Sequence, residues 1–599
     1  MNIRSVLIAN RGEIAVRIIR TCRDLGLHSV AIYSDADEGQ LWTRLADEAA
    51  HIGGAPPRDS YLNIDSILAA AKKSGVDAIH PGYGLLSESP EFATAVAEAG
   101  FIFVGPSADV IAVMGDKVAA RNAAIASGIP VLPGSEGAID DSDAALKIAE
   151  ELGWPVAVKA SFGGGGRGMR VAYTSEDLGA AIGQASREAM GAFGRPEIFL
   201  EKFLVRPRHV EVQVLGDGFG NVVHLGDRDC SVQRRHQKVI EEAPAPNLST
   251  ALRSGMQKAA VKLARDAGYT GAGTVEFLVD GAGENFYFLE MNTRLQVEHG
   301  VTELISAVDI VAEQLRIADG EAIGFAQKEV VLRGAAMQAR VTAEDAWDDF
   351  RPSPGRISQL KLPESPWLRL DFGYEAGDDV PGLYDSLIGK VQAVGRTREE
   401  ARVRLRGALE RLHIKGVPTT APYLVSLLDQ ADFKTASHDT GSLERDWGPE
   451  PDGCLSIPEP TDDCAPDHQP GQRLRIVGIP WGGQVFDFAI YGAAGSVAIR
   501  SESSTSHRAR ARNGASVKRD SAPGEVTSPL DASVVSIVAG VGDAIASGTP
   551  LIILEAMKME VVVAAKADGV LKAISVKPGD TVRRGAVLAE MTTQAEATG

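Results

Sequence analysis

The first part of the chain alternates apolar, strand-like segments with amphipathic, helical ones. Strand candidates lie at residues 6–9, 30–33, 78–80 and 102–104, with helical stretches such as 14–25 and 67–73 between them. That order predicts a parallel sheet with helices on its faces. Such sheets bind ligands at the carboxyl ends of their strands, and here those ends run into loops rich in Gly and polar residues.

From about residue 115 to 340 the pattern becomes mixed. In residues 209–214, His, Glu and Gln alternate strictly with three valines, which predicts a strand with one apolar and one polar face. We expect the polar face to be wet and functional, or at least solvated. Residues 341–446 look like a further compact piece that includes a charged helix at 398–412.

A different composition begins near residue 447. Pro, Gly, Ser and Asp are frequent in 449–471, and short β-like patches follow at 473–479 and 485–491. Arg and Lys then alternate with small residues from His507 to Arg519. We interpret this region as a flexible linker. The alternative is an arm that docks a partner or a nucleic acid.

The last 70 or so residues contain an internal repeat with an offset of 37 residues. Gly542-Asp543 recurs as Gly579-Asp580, Gly548 as Gly585, and Leu551 as Leu588. Two similar halves predict a small pseudo-symmetric β-domain. The junction between the halves, at 555–560, contains Lys558, which we expect on an exposed turn.

Composition narrows the classes of protein. A chain of 599 residues suggests roughly three to five domains. The formal net charge of −19 argues against a nucleic-acid binder. No apolar run is long enough to span a bilayer, and the first residues lack a signal-peptide pattern, so we expect a cytoplasmic protein without a membrane segment. The four cysteines are scattered and form no CxxC pair, which predicts free thiols.

A glycine run, Gly163, Gly164, Gly165 and Gly166, follows a strand-like segment that contains Lys159. Glycines let backbone N–H groups approach phosphates closely, and Lys159 favours that interpretation over a mobile surface loop. No Lys-Ser or Lys-Thr follows the run, so it is not a Walker A loop.

Two carboxylates flank a turn at 280–285. If the hairpin is symmetric about Gly283, Glu276 faces Glu290, and such a pair repels unless a cation lies between them. Mg²⁺ binds carboxylate and phosphate oxygens, and Asn292, on the same face, favours a metal site over two solvated glutamates. Arg294 could hold a phosphate or carboxylate, and Glu298 could be a base.

These motifs resemble the biotin carboxylase branch of the ATP-grasp enzymes, fused to a biotin carboxyl carrier domain, as in the α-subunit of bacterial acetyl- or propionyl-CoA carboxylases. The resemblance covers residues 1–446 and 526–596. It is carried by ANRGEIA at 9–15, HPGYG at 80–84, the glycine run, RRHQK at 234–238, residues 290–299 and AMKM at 556–559. The sequence departs from the family at Leu85, often Phe, and at Pro529-Leu530-Asp531-Ala532, usually a Pro-Met-x-Gly-like segment.

The resemblance implies a multidomain protein of α/β and α+β class. Its parts are a doubly wound N-terminal domain at 1–114, an ATP-grasp domain at 115–335, a biotin carboxylase C-terminal domain at 336–446, a linker with a short β-like segment at 447–525, and an all-β, lipoyl-like biotinyl domain at 526–596.

The resemblance also implies a role for each candidate residue. Lys117, Lys159 and the glycine run would hold ATP phosphates, and Glu201, Lys202, His209, Gln233 and His236 would line the nucleotide pocket. Glu276, Glu290 and Asn292 would bind Mg²⁺ or Mn²⁺. Lys238, Arg294, Gln296 and Val297 would surround bicarbonate and carboxyphosphate, Glu298 would deprotonate bicarbonate, Arg340 would stabilise the biotin anion, and Lys558 would carry biotin.

The implied activity is that of a ligase: ATP- and bicarbonate-dependent carboxylation of biotin on Lys558. Carboxybiotin would pass to a separate carboxyltransferase β-subunit that carboxylates an acyl-CoA, for fatty acid biosynthesis. A biotin protein ligase would attach the biotin, and the chain would form a homo-oligomer within a larger complex. The alternatives are another ATP-grasp ligase that joins a carboxylate to an amine, a non-catalytic carrier scaffold, and a carrier that is lipoylated.

Overall fold

A computed structural model describes residues 2–135, 137, 139, 142–160, 169–193, 197–449, 473–481, 484–491, 498–501, 524–557 and 559–593. The chain divides into two units, one made of Met1–Pro449 with Pro523–Gly599 and the other of Glu450–Ala522. Two predicted features, the glycine run at 163–166 and Lys558, lie outside the described residues.

The N-terminal part is a five-stranded parallel sheet in the order β3-β2-β1-β4-β5. Its strands are β1 Ser5–Ile8, β2 His28–Tyr33, β3 Glu48–His51, β4 Ala78–His80 and β5 Ile102–Phe103, and its helices are α1 Gly12–Asp24, α2 Leu41–Leu45, α3 Ile64–Ser74, α4 Pro90–Glu98 and α5 Ala108–Gly115. Val6 and Ile8 pack into one hydrophobic cluster with α1, whereas Leu7 belongs to another with residues of α3 and α4. Both faces of the sheet are therefore covered, as the alternating pattern predicts.

The next part begins with three helices and a small antiparallel sheet in the order β7-β6-β8. These elements are α6 Lys117–Ala126, α7 Ser142–Leu152, α8 Ser175–Phe193, β6 Val156–Ala160, β7 Arg170–Ala172 and β8 Ile198–Lys202. The Asp116 side chain accepts a hydrogen bond from the Ala119 N–H and so caps α6, which fixes the start of the helix at Lys117.

An eight-stranded sheet in the order β13-β12-β9-β10-β11-β14-β21-β19 forms the centre of the larger unit. Its strands are β9 Arg208–Gly216, β10 Val222–Arg234, β11 Gln237–Ala243, β12 Gly271–Val279, β13 Phe286–Asn292, β14 Ala335–Thr342, β19 Leu368–Phe372 and β21 Leu387–Gly395. Helices α9 Thr250–Asp266, α10 His299–Ser306 and α11 Ile310–Ala318 connect parts of it. Strands β14, β19 and β21 come at or after residue 335, where the sequence predicts the end of the ATP-grasp domain. They nevertheless belong to the same sheet, so one sheet contains strands from both sides of that predicted boundary.

The alternation at 209–214 forms part of β9, as predicted. Val210, Val212 and Val214 pack against Leu252, Met256 and Ala260 of α9. The polar face differs from the expectation: Glu211 and Gln213 are fully buried and His209 is 6% exposed. The prediction of a solvated face is wrong, because these side chains are buried and bind polar or charged groups of the neighbouring strands.

The rest of this region is built from short strands and four helices. They are β15 Glu344–Asp345, β16 Arg351–Pro352, β17 Gly355–Arg356, β18 Gln359–Lys361, β20 Asp379–Val380, β22 His413–Lys415, α12 Arg398–Arg411, α13 Ala421–Asp429, α14 Ala431–Thr435 and α15 Ser442–Asp446. The Thr397 side chain caps α12 by accepting from the Glu400 N–H. Leu405 and Leu409 of that helix pack against Val391 of the sheet in one hydrophobic cluster.

The C-terminal β-domain consists of two four-stranded sheets, β26-β33-β31-β28 and β30-β29-β27-β32. Its strands are β26 Glu525–Thr527, β27 Ala532–Ile537, β28 Ala544–Ile545, β29 Pro550–Ala556, β30 Met559–Ala564, β31 Gly569–Ile574, β32 Thr581–Val582 and β33 Val587–Thr593. Adding 37 to the bounds of β27, β28 and β29 gives those of β31, β32 and β33. The structure therefore confirms the pseudo-symmetry inferred from the repeat.

The second unit contains one three-stranded antiparallel sheet, β23-β24-β25. Its strands are β23 Arg473–Trp481, β24 Gln484–Tyr491 and β25 Ala498–Ser501, in agreement with the two predicted β-like patches. The basic tract at 507–519 lies outside the described residues. In the described parts of the chain, every helix is too short or too polar to cross a bilayer.

Candidate active site

A cavity of about 1490 Å³ opens above the polar face of the central sheet. It collects nearly all the candidate residues that the structure describes. They are Lys117, Lys159, Glu201, Lys202, His209, Gln233, His236, Lys238, Glu276, Glu290, Asn292, Arg294, Gln296, Val297 and Arg340. Glu298 is fully buried and is joined to the cavity wall by Lys238 and Arg340.

Lys238 binds three buried carboxylates at once. Its Nζ lies 2.6 Å from Glu211 Oε2, 2.8 Å from Glu276 Oε1 and 2.7 Å from Glu298 Oε1. Burial by itself would lower the pKa of Lys238, but the surrounding anionic groups raise it well above its ordinary value. Lys238 is therefore a permanent cation at the cavity wall.

Glu298 lies between two cations. Lys238 holds one of its oxygens, and Arg340 Nη2 donates to the other at 3.0 Å. Burial would raise the pKa of Glu298, but the charges of Lys238, Arg340 and Arg228 outweigh burial and hold the pKa below its ordinary value. The side chain is thus a carboxylate at neutral pH and can accept a proton.

Arg340 is fixed by a second carboxylate. Its Nε donates to Glu241 Oε1 at 2.5 Å, and Gln338 donates to the other oxygen of Glu241 at 3.0 Å. Gln338 and Arg340 both lie on β14, and Glu241 lies on the neighbouring β11. The sheet therefore orients the guanidinium before any ligand binds.

The predicted carboxylate pair is confirmed by the register of the hairpin. Glu276 of β12 lies opposite Glu290 of β13 on one side and opposite Glu211 of β9 on the other. Asn292 Nδ2 donates to Glu276 Oε1 at 2.9 Å, and His209 Nε2 lies 2.8 Å from Glu276 Oε2. The expected turn closes with a hydrogen bond from the Gly283 N–H to the Asp280 carbonyl.

The charges of this group fit a divalent cation. Burial raises the pKa of Glu290, and the charge of Glu276 raises it further. A cation between the two carboxylates would remove that repulsion, and an all-oxygen set from Glu276, Glu290 and Asn292 suits Mg²⁺. Lys238 and His209 hold the pKa of Glu276 well below its ordinary value against the opposing effect of burial.

Arg294 lines the cavity and is held by three neighbouring side chains. Its Nη2 donates to Asn292 Oδ1 at 2.9 Å, its Nη1 to Gln296 Oε1 at 3.2 Å, and its Nε to Glu88 Oε2 at 2.8 Å. The Val297 carbonyl accepts from the buried Lys390 at 2.9 Å. The loop from Arg294 to Val297 is thereby held on both sides.

Two further lysines that line the cavity are bound to protein groups. Lys159 Nζ binds the Glu201 carboxylate across β6 and β8. Lys202 donates to the carbonyls of Gly153 and Trp154 at 2.8 and 3.0 Å. Both side chains line the cavity and are bound to protein groups.

Sequence reasoning assigned no role to several charged residues that complete the site. Glu211, Glu241 and Arg228 are fully buried, and Arg228 Nε binds Glu211. Arg228 also donates to Gln213 Oε1 at 2.8 Å and to Thr302 Oγ1 at 2.9 Å. The alternation in β9 could have singled out Glu211, but no local signal joins it to residues 228 and 241.

A substitution of Lys238 tests the electrostatic argument. We expect Lys238→Met to lower the free energy of unfolding by about 3–5 kcal/mol, because it leaves three buried carboxylates without their shared cation. Lys262→Met is the matched control, since Lys262 forms an exposed pair with Asp266 at 2.6 Å and should cost less than about 1 kcal/mol. Urea denaturation followed by circular dichroism measures both. Equal losses in the two variants would contradict the network.

Four family models match most of the chain. They are described as "Biotin carboxylase, N-terminal domain" over residues 2–111, "Carbamoyl-phosphate synthase L chain, ATP binding domain" over 116–325, "Biotin carboxylase C-terminal domain" over 338–445 and "Biotin-requiring enzyme" over 521–591. The four matches follow one another in the order that the sequence predicts.

Individual relatives agree with these matches. The chain is 41% identical over 602 residues to the biotin-dependent acyl-coenzyme A carboxylase alpha3 subunit of Mycobacterium leprae, which covers 98% of each chain. It is 47% identical over 442 residues to biotin carboxylase 1 of Bacillus subtilis, covering 74% of this chain and 98% of the relative.

A solved structure supports the same assignment. The biotin carboxylase domain of the Hydrogenobacter thermophilus 2-oxoglutarate carboxylase, a dimer in complex with MgADP, ADP and bicarbonate, has a TM-score of 0.70 at 44% identity. The match covers 74% of this chain and 97% of that one. With the motifs, the fold and the full-length relative in agreement, the chain belongs to the biotin carboxylase family, with a biotin carrier domain in the same polypeptide.

Proposed function

We propose that this chain uses ATP and bicarbonate to carboxylate biotin held on Lys558 of its own carrier domain, with carboxyphosphate as the activated species. The observation that carries the proposal is the position of Glu298 between Lys238 and Arg340. These two cations lie on the wall of a cavity that Met557, the residue before Lys558, also lines.

Glu298 would act as the base on bicarbonate. Its carboxylate is already formed, and Lys238, Arg294 and Gln296 are placed to hold the anion beside it. An anion that takes over the contacts of Lys238 and Arg340 would weaken their hold on Glu298 and raise its pKa. Binding of the substrate would therefore strengthen the base at the point where it is needed.

The phosphoryl group in transfer carries dispersed negative charge. Lys117 and Lys159 line the cavity and would bind the ATP phosphates, and Glu276, Glu290 and Asn292 would hold Mg²⁺ or Mn²⁺. The metal would supply charge neutralisation for the phosphates, and the biotin on Lys558 would supply the acceptor nitrogen. Lysines, metal and Arg294 would together stabilise the transition state electrostatically.

Arg340 would stabilise negative charge that develops on the acceptor. Glu241 fixes the guanidinium in one orientation, so little reorganisation is required when charge forms. Carboxyphosphate hydrolyses readily, so the site must exclude water. The glycine run at 163–166 would serve that task by covering the site.

The carboxyl group would then pass to a separate carboxyltransferase subunit that acts on an acyl-CoA. The full-length similarity to the Mycobacterium leprae acyl-CoA carboxylase alpha3 subunit supports this assignment. A biotin protein ligase would modify Lys558, and we infer a cytoplasmic homo-oligomer within a larger complex. Reconstitution with candidate carboxyltransferase subunits and a series of acyl-CoA substrates tests the acceptor.

The first test is ATP hydrolysis by the purified chain with Mg²⁺ and free biotin, with and without bicarbonate. We expect phosphate release to require bicarbonate and to accompany carboxylation of the free biotin. ATP cleavage that is indifferent to bicarbonate would point to an ATP-grasp ligase of another kind. Absence of cleavage in folded protein would favour a carrier scaffold.

A further inference from the structure

The carrier domain touches the rest of the larger unit beside the cavity. The Met557 N–H donates to the Gly382 carbonyl at 3.0 Å. The Met557 side chain is only 4% exposed and belongs to the same hydrophobic cluster as residues of β14 and β21. Met557 comes directly before Lys558 in the sequence, so the contact lies next to the predicted site of biotin attachment.

The backbone conformation at position 382 does not require a glycine. Its φ is outside the left-handed region, so its backbone is open to any L residue. A Cβ built on it would lie 2.4 Å from the Asp531 carbonyl oxygen, and its next two neighbours would be the Asp531 carbonyl carbon and Cβ, both at 3.3 Å. All three atoms belong to the carrier domain.

A comparison with another glycine of the same region sharpens the point. A Cβ on Gly389 would lie 2.5 Å from Phe372, which is its own neighbour in the central sheet. Gly389 is therefore required for packing within the sheet. At Gly382 the close approach that excludes a side chain is made by the carrier.

Gly382 also leads directly into the catalytic wall. Residues 382–387 line the cavity, and Leu387 begins β21, which pairs with β14 so that Lys390 lies opposite Arg340. A carrier seated on Gly382 is thus held at a fixed position relative to Arg340.

We propose that Gly382 is a positioning residue for the carrier: because it has no side chain, the Asp531 backbone packs directly against it, and its carbonyl fixes the N–H of Met557, which precedes the predicted biotin-bearing lysine in the sequence. This inference rests on the proposed function, since it assigns the surface on which the carrier docks in order to be carboxylated. The contact at Gly382 should affect the carboxylation of biotin attached to the chain and leave the carboxylation of free biotin unchanged.

Another contact of the carrier, between Gly579 and Arg58, contributes little to docking. Arg58 Nη2 approaches the Gly579 carbonyl at 3.5 Å, and the Arg58 side chain is 69% exposed. Long, exposed contacts of this kind add little to affinity. Arg58→Ala should therefore change the rate of carrier carboxylation less than Gly382→Ala does.

The test compares two acceptors in the full-length chain. In biotinylated Gly382→Ala, the single-turnover rate at which labelled bicarbonate enters the carrier should fall roughly tenfold to hundredfold, the effect of displacing a reacting group by about 1 Å. Free biotin carboxylation is measured in the Lys558→Arg background, where no attached biotin competes. There, Gly382→Ala should leave the rate of free biotin carboxylation unchanged.

Gly324→Ala serves as the matched control, since a Cβ at Gly324 meets no atom within 4 Å and its φ is outside the left-handed region. It should change neither rate. Two results would contradict the positioning role of Gly382. One is an equal loss of both rates in Gly382→Ala, which would show that the residue acts in the reaction itself. The other is no loss of carrier carboxylation. A wild-type chain that carboxylates neither acceptor would instead refute the proposed function, and the inference with it.

Discussion

Glu298→Gln should lower bicarbonate-dependent ATP cleavage by about 10²-fold or more, which is the usual contribution of a positioned base. The amide keeps the size of the side chain but cannot take a proton from bicarbonate. The fold should survive, because Lys238 keeps Glu211 and Glu276 as partners and Arg340 keeps Glu241. Steady-state kinetics at saturating bicarbonate measures the loss in kcat.

Glu284→Gln is the matched control for this variant. Glu284 is exposed on the turn of the same hairpin that carries Glu276 and Glu290, and its substitution should leave turnover within about twofold of wild type, as surface changes usually do. Near-normal turnover of Glu298→Gln would remove the residue from the role of base. A large shift in its urea midpoint would instead assign the loss to folding.

Lys558→Arg should abolish attachment of biotin and so remove all binding of the chain to avidin. The guanidinium of arginine does not deprotonate in proteins, so it cannot form the amide through which biotin would be attached. Carboxylation of free biotin should continue slowly, since the catalytic residues are unchanged. Avidin blotting of the purified chain, paired with the free-biotin assay, measures both effects.

The control for the lysine substitution lies in the same domain. Lys566 is exposed near the end of β30, and Lys566→Arg should retain full avidin binding. Biotin that remains on the Lys558→Arg chain would show that another lysine is modified. A carrier with lipoyl groups in place of biotin would fail the avidin test in wild type as well, which separates the two kinds of carrier.

Patterns local in sequence predicted much of the fold and part of the site. The 37-residue repeat predicted two similar halves, and β27, β28 and β29 do recur 37 residues later as β31, β32 and β33. Glu276 does lie opposite Glu290, as predicted, although the strands next to the turn are not symmetric about Gly283 and a register shift between Glu276 and Phe277 produces the pairing. Both succeed because a hairpin or a repeat is determined by neighbours along the chain.

The charged network could not be predicted in the same way. Apart from Glu298, which directly precedes α10, its members come from β9, β10, β11, β12 and β14, whose spatial order differs from their order in the sequence. The expectation of a solvated polar face on β9 failed for this reason. From the sequence alone, Glu211 is expected to be a surface charge. Only the folded structure shows that it is paired with Arg228 and Lys238.

By itself, the sequence determined the parallel N-terminal sheet, the symmetric carrier domain, the carboxylate hairpin and the family to which these belong, since each depends on periodicity or on contiguous motifs. Only the tertiary structure decided that Glu298 lies buried between Lys238 and Arg340 and that Gly382 meets the carrier at Asp531 and Met557. Those contacts join residues tens to hundreds of positions apart. Their energies depend on burial and on opposing charges, which no stretch of sequence contains.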